Sequence, residues 1–390
     1  MKVLHLTDDM SLMGGVQRYL ATVDSVLPTL GVHSVVWAPE AGPLGGAASR
    51  WYGRRYRARV RRLIEDHAPD VVHAHNLWMR LSPFPLEAAA AAGVPVVMTV
   101  HDYALVCPRK WMITGDDRPC ESGFSGRCLL PGCRGSHEGV QWAPYNALRW
   151  LKTGVHRRML GRLVDRFVSP SRHLARWMER SLGARDVAHV ANFAQPPLDP
   201  PGPVAQPSSL LFAGRLGREK GVDVLLRAMP AVVGRHPEAR LVVAGDGPRR
   251  SALESLVDEL GLGRAVVFEG VLGPKALGRR YADAGLVLLP TLWMENCPVS
   301  VLEAFAHGRA VAATRIGGVP ELVEDGRTGV LFARGDVRDL SERLDHLLTE
   351  PQLIERMGAA AAAAWADRYT PERHAENLRA VYDDLATGRS

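Results

Sequence analysis

From its first residues the chain alternates short apolar runs with helical patterns, and that alternation limits what it can fold into. Val3–Leu6, Ser34–Trp37, Asp70–His75 and Val94–Val100 read as strands. The patterns from Val16 to Leu30, Arg50 to His67 and Leu86 to Ala92 read as helices. Strands separated by helical segments predict a parallel sheet with crossover helices on both faces. After a proline-rich stretch the alternation resumes, with strand patterns at Leu210–Ala213, Leu241–Gly247, Val266–Val271 and Leu286–Pro290. A chain of 390 residues has room for two such domains, each with its own core. The expected division is an N-terminal domain over 1–194, a linker over 195–209 with six prolines, and a second domain over 210–370, followed by a last helix over 371–390. Two domains joined in this way are expected to face each other across a cleft, where ligands bind.

Composition narrows the class further. A hydrophobic share of 46% with 23% charged residues is that of a globular protein. No window approaches the roughly 18 uninterrupted apolar residues of a membrane span. The N-terminus reaches Asp8-Asp9 too early for a signal peptide, so a cytoplasmic location is expected. The net charge of +6 is uneven: residues 1–200 hold 25 Lys+Arg against 17 Asp+Glu. Only five of the 48 basic residues are lysine, so a lysine within a motif stands out.

The most informative stretch is Pro290–Glu321, PTLWMENCPVSVLEAFAHGRAVAATRIGGVPE. A helix is predicted to start at Pro298, because proline is tolerated in a first turn. Glu295 then lies in the preceding loop and Glu303 inside the helix. The first-turn amides of Val299, Ser300 and Val301 would offer an anion site supported by the helix dipole. Eight residues of loop and helix span on the order of 12 Å at about 1.5 Å per helical residue. That spacing suits a ligand with hydroxyls at both ends and phosphates in the middle, although two solvated glutamates on an amphipathic helix would share it. Gly308 is expected to cap the helix in the left-handed conformation.

Three other places hold candidate chemistry. Gly214-Arg215-Leu216-Gly217-Arg218-Glu219-Lys220-Gly221 follows a strand, where an arginine fork and a lysine point charge can grip a diphosphate from two sides. Gly14 and Gly15 sit between the first strand and first helix, as in nucleotide-binding domains, or serve only as a tight turn. His101 follows the strand ending at Val100, at the carboxyl end where open α/β sheets bind ligands. His73 and His75 alternate on one strand, hence on one face, and read as packing or acceptor-side residues, not metal ligands.

Together, Glu295-x7-Glu303, GRAVAATRIGGVPELVEDGRTGVLF and FAGRLGREKGVDVLLRA resemble the signature of the retaining glycosyltransferases of family 4. The resemblance covers nearly the whole chain except the cysteine-containing insert. It implies an α/β GT-B fold of two Rossmann-like domains, with the last helix crossing back over the first. The implied substrate is a nucleoside-diphosphate sugar, UDP- or GDP-linked, from which a hexosyl group passes to an acceptor hydroxyl with retention. In that family Arg215 and Lys220 would bind the diphosphate, Glu295 the sugar hydroxyls and Glu303 the ribose. Gly14 and Gly15 would lie against the phosphates, Gly270 and Val271 beside the base, and His101 would face the reacting sugar. Asn296 and Cys297 stand where many members carry a small residue, often glycine, and with Pro298, Val299 and Ser300 complete the donor pocket. No Asp-x-Asp run is present, and the fixed cations make a catalytic metal unnecessary.

The insert over 107–133 carries Cys107, Cys120, Cys128 and Cys133, read either as a structural zinc site or as free or redox-active thiols. Two basic patterns, Arg50–His67 and Tyr145–Arg166, read either as solvated faces or as surfaces for an anionic membrane at the inner face of the plasma membrane. No nucleic-acid motif accompanies the charge. The acceptor is expected to be a glycan or lipid-linked molecule of exopolysaccharide or cell-envelope assembly. A soluble natural-product acceptor, a GT-B nucleotide-sugar epimerase and a non-catalytic sensor are the alternatives.

Overall fold

The computed structural model describes the chain except residues 9, 11–14, 40–55, 79, 115–117, 131–132, 134–142, 185–186, 199–201, 205 and 388–390, and the side chains of 143–145. The Gly14 assignment and the first part of the basic pattern at 50–67 lie outside the described residues. Two compact units are formed, one from Met1–Ala191 with Pro371–Ser390, the other from Asn192–Thr370.

The first unit is built on six parallel strands, β1 (Lys2–Thr7), β2 (His33–Trp37), β3 (Val71–His75), β4 (Val96–Thr99), β5 (Arg166–Ser169) and β6 (Val187–His189). They lie in the order β2-β1-β3-β4-β5-β6. Every residue of β3 and β4 is buried, as expected for strands covered on both faces. Helices α1 (Gly15–Val26), α2 (Arg57–His67), α3 (Leu86–Ala91), α4 (Ala143–Leu163) and α5 (Arg172–Leu182) make the crossovers. The helical pattern predicted to run to Leu30 changes to a 3₁₀ turn at Leu27–Leu30, since Pro28 cannot continue the α-helical hydrogen bonding. Ser171 caps α5, accepting from the Leu174 amide at 3.1 Å. The second basic pattern ends as a helix at Leu163, and Arg166 opens β5. The C-terminal helix Pro371–Thr387 packs on α1 within this unit.

The second unit has β7 (Ser209–Ala213), β8 (Arg240–Ala244), β9 (Val266–Gly270), β10 (Leu286–Leu289), β11 (Ala310–Thr314) and β12 (Gly329–Phe332). Their order is β12-β11-β10-β7-β8-β9, all parallel. Helices α6 (Val222–Arg235), α7 (Arg250–Glu259), α8 (Pro274–Asp283), α9 (Val299–Ala306), α10 (Val319–Leu322), α11 (Val337–Thr349) and α12 (Pro351–Arg368) complete it. Read from its other edge, this is the doubly wound order whose direction reverses between the first and fourth strands, here β7 and β10. Ligands bind outside the carboxyl ends of the strands at such a reversal. The segment after β7 carries Arg215 and Lys220, and that after β10 carries Glu295.

Candidate donor site and the histidine array

The segments after β7 and β10 are stitched together by backbone. Leu292 donates its amide to the Glu219 carbonyl at 2.8 Å, and Thr291 adds its hydroxyl at 3.2 Å. Gly221 has φ +63°, and a Cβ there would lie 2.0 Å from the Pro290 carbonyl oxygen, so only glycine fits. The short turn Arg218–Lys220 is thereby fixed, with Lys220 aimed at the loop after β10.

Lys220 Nζ lies 2.7 Å from Glu295 Oε1. The same oxygen accepts from Trp293 Nε1 at 2.6 Å and from the Thr291 hydroxyl at 3.3 Å. The ammonium also sits 4.9 Å from the centre of the Trp293 ring, a cation–π contact. Arg215 pairs with Glu219, which is itself buried. Both cations read from the sequence are therefore present at the strand reversal, each held by a carboxylate.

The loop carrying Glu295 is held by its main chain. Gly318 donates to the Glu295 carbonyl at 2.8 Å, and Asn192 Nδ2 to the Cys297 carbonyl at 3.0 Å. A Cβ on Gly317, at φ +57°, would lie 2.1 Å from the Glu295 carbonyl oxygen. Pro298 is the N-cap of α9, not its first residue, with extended backbone at ψ 118°. Val301 donates to the Pro298 carbonyl at 3.2 Å, which removes its amide from the set available to an anion. Burial drives the Cys297 thiol up to about 12, so it stays protonated. Gly308 takes φ +66° after α9, the left-handed cap read from the sequence.

Glu303 accepts a 2.8 Å hydrogen bond from the Tyr281 hydroxyl. Burial, then the Glu303 carboxylate, holds the Tyr281 phenol well above its ordinary range, so it remains a donor. Gly270 ends β9 at φ +70°, and Val271 after it is 79% exposed. Glu295 and Glu303 thus lie before and within α9, with Lys220 on the first of them. Sequence reasoning missed Thr291, Trp293, Glu219 and Tyr281. The first three lie within four residues of an assigned residue, whereas nothing local links Tyr281 to Glu303.

In the first unit, His101 follows β4 and its Nε2 lies 3.1 Å from His75 Nδ1. His75 Nε2 lies 3.1 Å from His5 Nδ1. His73 meets the Tyr382 hydroxyl at 2.7 Å and the Thr99 hydroxyl at 2.8 Å. His374 Nδ1 donates to the Ala191 carbonyl at 2.7 Å, so its Nε2 accepts from the Tyr19 hydroxyl at 2.8 Å. Burial lowers His5, His101 and His374 to about 4, and His73 and His75 well below the ordinary range. Ring nitrogens of His5, His73 and His75 come within 4.8 Å of one another, a metal-ligand spacing. Those of His73 and His75 already contact hydroxyls or neighbouring rings. His5, on the strand paired with β3, was the member missed; its register opposite His73 is the signal. Asp8 was missed too, and its carboxylate accepts from the Trp78, Arg80 and Leu81 amides, holding the loop after β3. Gly15, the described member of the glycine pair, opens α1, and among the described residues no atom comes within 4 Å of where its Cβ would stand.

The basic helices are partly committed elsewhere. Arg57 pairs with Glu87 at 3.3 Å and Arg61 with Glu65 at 3.7 Å. On α4, Arg149, Lys152 and Arg157 turn to the carbonyls of Pro108, Trp78 and Leu105. Much of the charge on α4 therefore braces loops of its own unit. Among the described residues no helix is long and apolar enough to cross a membrane.

Two Rossmann-like units, each a six-stranded parallel sheet, with this cation and glutamate set at a strand reversal define a protein of the GT-B class. Residues 200–364 match the family model for glycosyl transferases group 1, and residues 14–192 that of a glycosyl transferase 4-like domain. The chain belongs to family 4 of the glycosyltransferases. It is 30% identical over 176 residues to the α-D-kanosaminyltransferase of Streptomyces kanamyceticus, a match covering 45% of each chain. It is 35% identical over 181 residues to a D-inositol 3-phosphate glycosyltransferase of Corynebacterium jeikeium, covering 45% of this chain and 43% of that one. The match thus spans less than half the length of these curated relatives. In fold the chain is similar to a sucrose-phosphate synthase from Thermosynechococcus elongatus, with TM-score 0.74 and 17% identity over all of both chains. It is also similar to the Anabaena protein HepE solved with UDP, with TM-score 0.70 and 17% identity over 98% of this chain and 100% of that one.

Proposed function

We propose that the protein is a retaining glycosyltransferase that moves a hexosyl group from a nucleoside-diphosphate sugar to an acceptor hydroxyl. The observation that carries this reading is Lys220 held on Glu295 at the strand reversal, one loop before the N-terminus of α9. In it, Arg215, Lys220 and the Val299 and Ser300 amides stabilise the diphosphate as the bond from the anomeric carbon to the phosphate oxygen breaks. The acceptor oxygen bonds to the same face of that carbon, and its proton passes to the departing phosphate. Glu295 holds sugar hydroxyls, Glu303 the ribose, and Gly270 and Val271 border the base. His101, neutral at physiological pH, positions the reacting sugar through hydrogen bonding. The Anabaena protein of the same fold was solved with UDP, which makes UDP the first nucleotide to test and GDP the second.

The acceptor is assigned to exopolysaccharide or cell-envelope glycan assembly. Product analysis without acceptor separates a transferase from an epimerase. Because a ligand that binds only the folded state raises its stability, thermal unfolding with UDP, GDP, ADP and their sugars identifies the donor. Lys220→Ala removes a charged contact of roughly 1.5–3 kcal/mol and should weaken donor binding about 10- to 100-fold. An unchanged dissociation constant would discard the diphosphate assignment.

A further inference from the structure

Three histidine rings run in line from the first strand of the first unit to the residue placed at the reacting sugar. His5 Nδ1 meets His75 Nε2, and His75 Nδ1 meets His101 Nε2, both at 3.1 Å. Strand alternation puts His73 and His75 on one face of β3, and the parallel register sets His5 opposite His73. Neighbouring rings hold this line in place. The ring centre of His73 lies 4.1 Å from that of His75 and 5.2 Å from that of His5, and the Tyr382 and Thr99 hydroxyls hold His73 in turn. Tyr19 stands edge-on to His101 at 5.0 Å, with its hydroxyl fixed on His374. At the far end, His5 Nε2 is buried and has no hydrogen-bond partner among the described residues.

Burial keeps all three rings neutral at physiological pH, so each carries one N–H. Each contact needs one nitrogen that donates and one that accepts. If His101 donates from Nε2, His75 must donate to His5, and the third proton ends on His5 Nε2. If His75 donates to His101, His5 must donate to His75, and the third proton ends on His101 Nδ1. The chain thus keeps that proton at one of its two ends, never at both. With Nε2 committed to His75, Nδ1 is the nitrogen by which His101 can meet a sugar hydroxyl: protonated it donates, bare it accepts.

We propose that His75 and His5 are positioning residues of the transfer site, which fix the His101 ring by its Nε2 and couple the protonation of its Nδ1 to that of His5 Nε2. The inference rests on the reading of His101 as the residue that faces the reacting sugar. A lone imidazole in a loop flips its ring and exchanges its two tautomers. Tied at one nitrogen, it presents the other in a set orientation and state, and less ordering remains when the sugar arrives. His75 and His5 act through His101 and need no contact with substrate.

The test uses the full chain with isotope-labelled histidine rings, read by nuclear magnetic resonance at neutral pH with no nucleotide present. Scalar couplings across the two N–H···N bonds should link His5 to His75 and His75 to His101. The His5 Nε2 and His101 Nδ1 signals should report opposite protonation states. His75→Phe should abolish the coupling to His101 and average the His101 ring signals between tautomers. Couplings missing from the parent, end nitrogens both protonated or both bare, or His101 signals unchanged in the variant would overturn the proposal. A metal ion retained by His5, His73 and His75 in the parent would take nitrogens of the chain and would overturn it too. If His75→Phe fails to fold, the couplings and end states of the parent decide. Calorimetry with UDP and UDP-glucose reads the sugar contact separately. His75→Phe should weaken UDP-glucose binding about 3- to 10-fold and leave UDP binding unchanged. A merely structural role would weaken both alike, and that result would overturn the positioning role. A parent that binds neither ligand refutes the donor reading, while the couplings still decide the chain.

Discussion

Acid should open the first unit from its core outward, and the histidine array sets the size of the effect. His5 and His374 are 1% and 3% exposed, and burial lowers both to about 4. Unfolded, each titrates near 6.5. Above that pH neither state is protonated and the rings cost nothing. As the pH falls from about 6.5 towards 4, the unfolded chain binds protons that the folded one refuses, so stability is lost across that window. At pH 5 the difference is about 2 kcal/mol for each ring, or about 4 kcal/mol for the two together. His73 and His75 are lowered further and act in the same direction. A loss of that order is a large part of the roughly 5–15 kcal/mol that holds a typical domain. Hydrogen exchange read by mass spectrometry from pH 7.5 to 5, corrected for intrinsic rates, should show β1 and β3 losing protection while β10 and β11 keep theirs. Equal protection of β1 and β3 at both pH values, or histidine resonances that titrate near 6.5 in the folded protein, would refute the reasoning.

Other perturbations follow from the second unit. Gly317→Ala forces a Cβ against the Glu295 carbonyl in a left-handed conformation and should cost about 2 kcal/mol or more of stability; a melting temperature within a degree of the parent would contradict that contact. Tyr281→Phe removes the hydrogen bond to Glu303 and should cost about 1 kcal/mol, together with a several-fold weaker affinity for donor by calorimetry if Glu303 holds the ribose. Arg309 is 1% exposed and its guanidinium donates to the carbonyls of Tyr281, Gly202 and Ala282. Arg309→Met therefore leaves the buried Tyr281 carbonyl and two carbonyls nearer the surface without this donor and should lower stability by about 3 kcal/mol, read as an earlier denaturant midpoint; a midpoint equal to the parent's would show that water replaces the guanidinium.

Where the sequence could be read, the cause was local. The alternation of apolar runs with helices names both sheets, because burial on two faces demands continuous apolar strands such as Val71–His75. Arg215 and Lys220 were visible because six residues hold both, and Glu295 and Glu303 because one loop and one helix do. What stayed hidden was pairing across distance. Lys220 and Glu295 are 75 residues apart, and Tyr19 and His374 are 355 apart. No periodicity links such positions; only the strand order brings them together. Part of the charge on α4 is turned to its own unit for a related reason. Charge counted along a helix does not reveal that Arg149, Lys152 and Arg157 each end on a carbonyl of another segment.

The loop after β10 is gripped by its own peptide groups: the Glu295 carbonyl by Gly318, the Cys297 carbonyl by Asn192, and its approach to Gly317 made possible by a missing side chain. None of these contacts depends on what residues 296 and 297 are. Natural variation can therefore alter the two side chains beside Glu295 and leave the carboxylate where it is. Under the proposed donor assignment, sugar preference can change at residues 296 and 297 while the peptide groups that hold the loop stay paired.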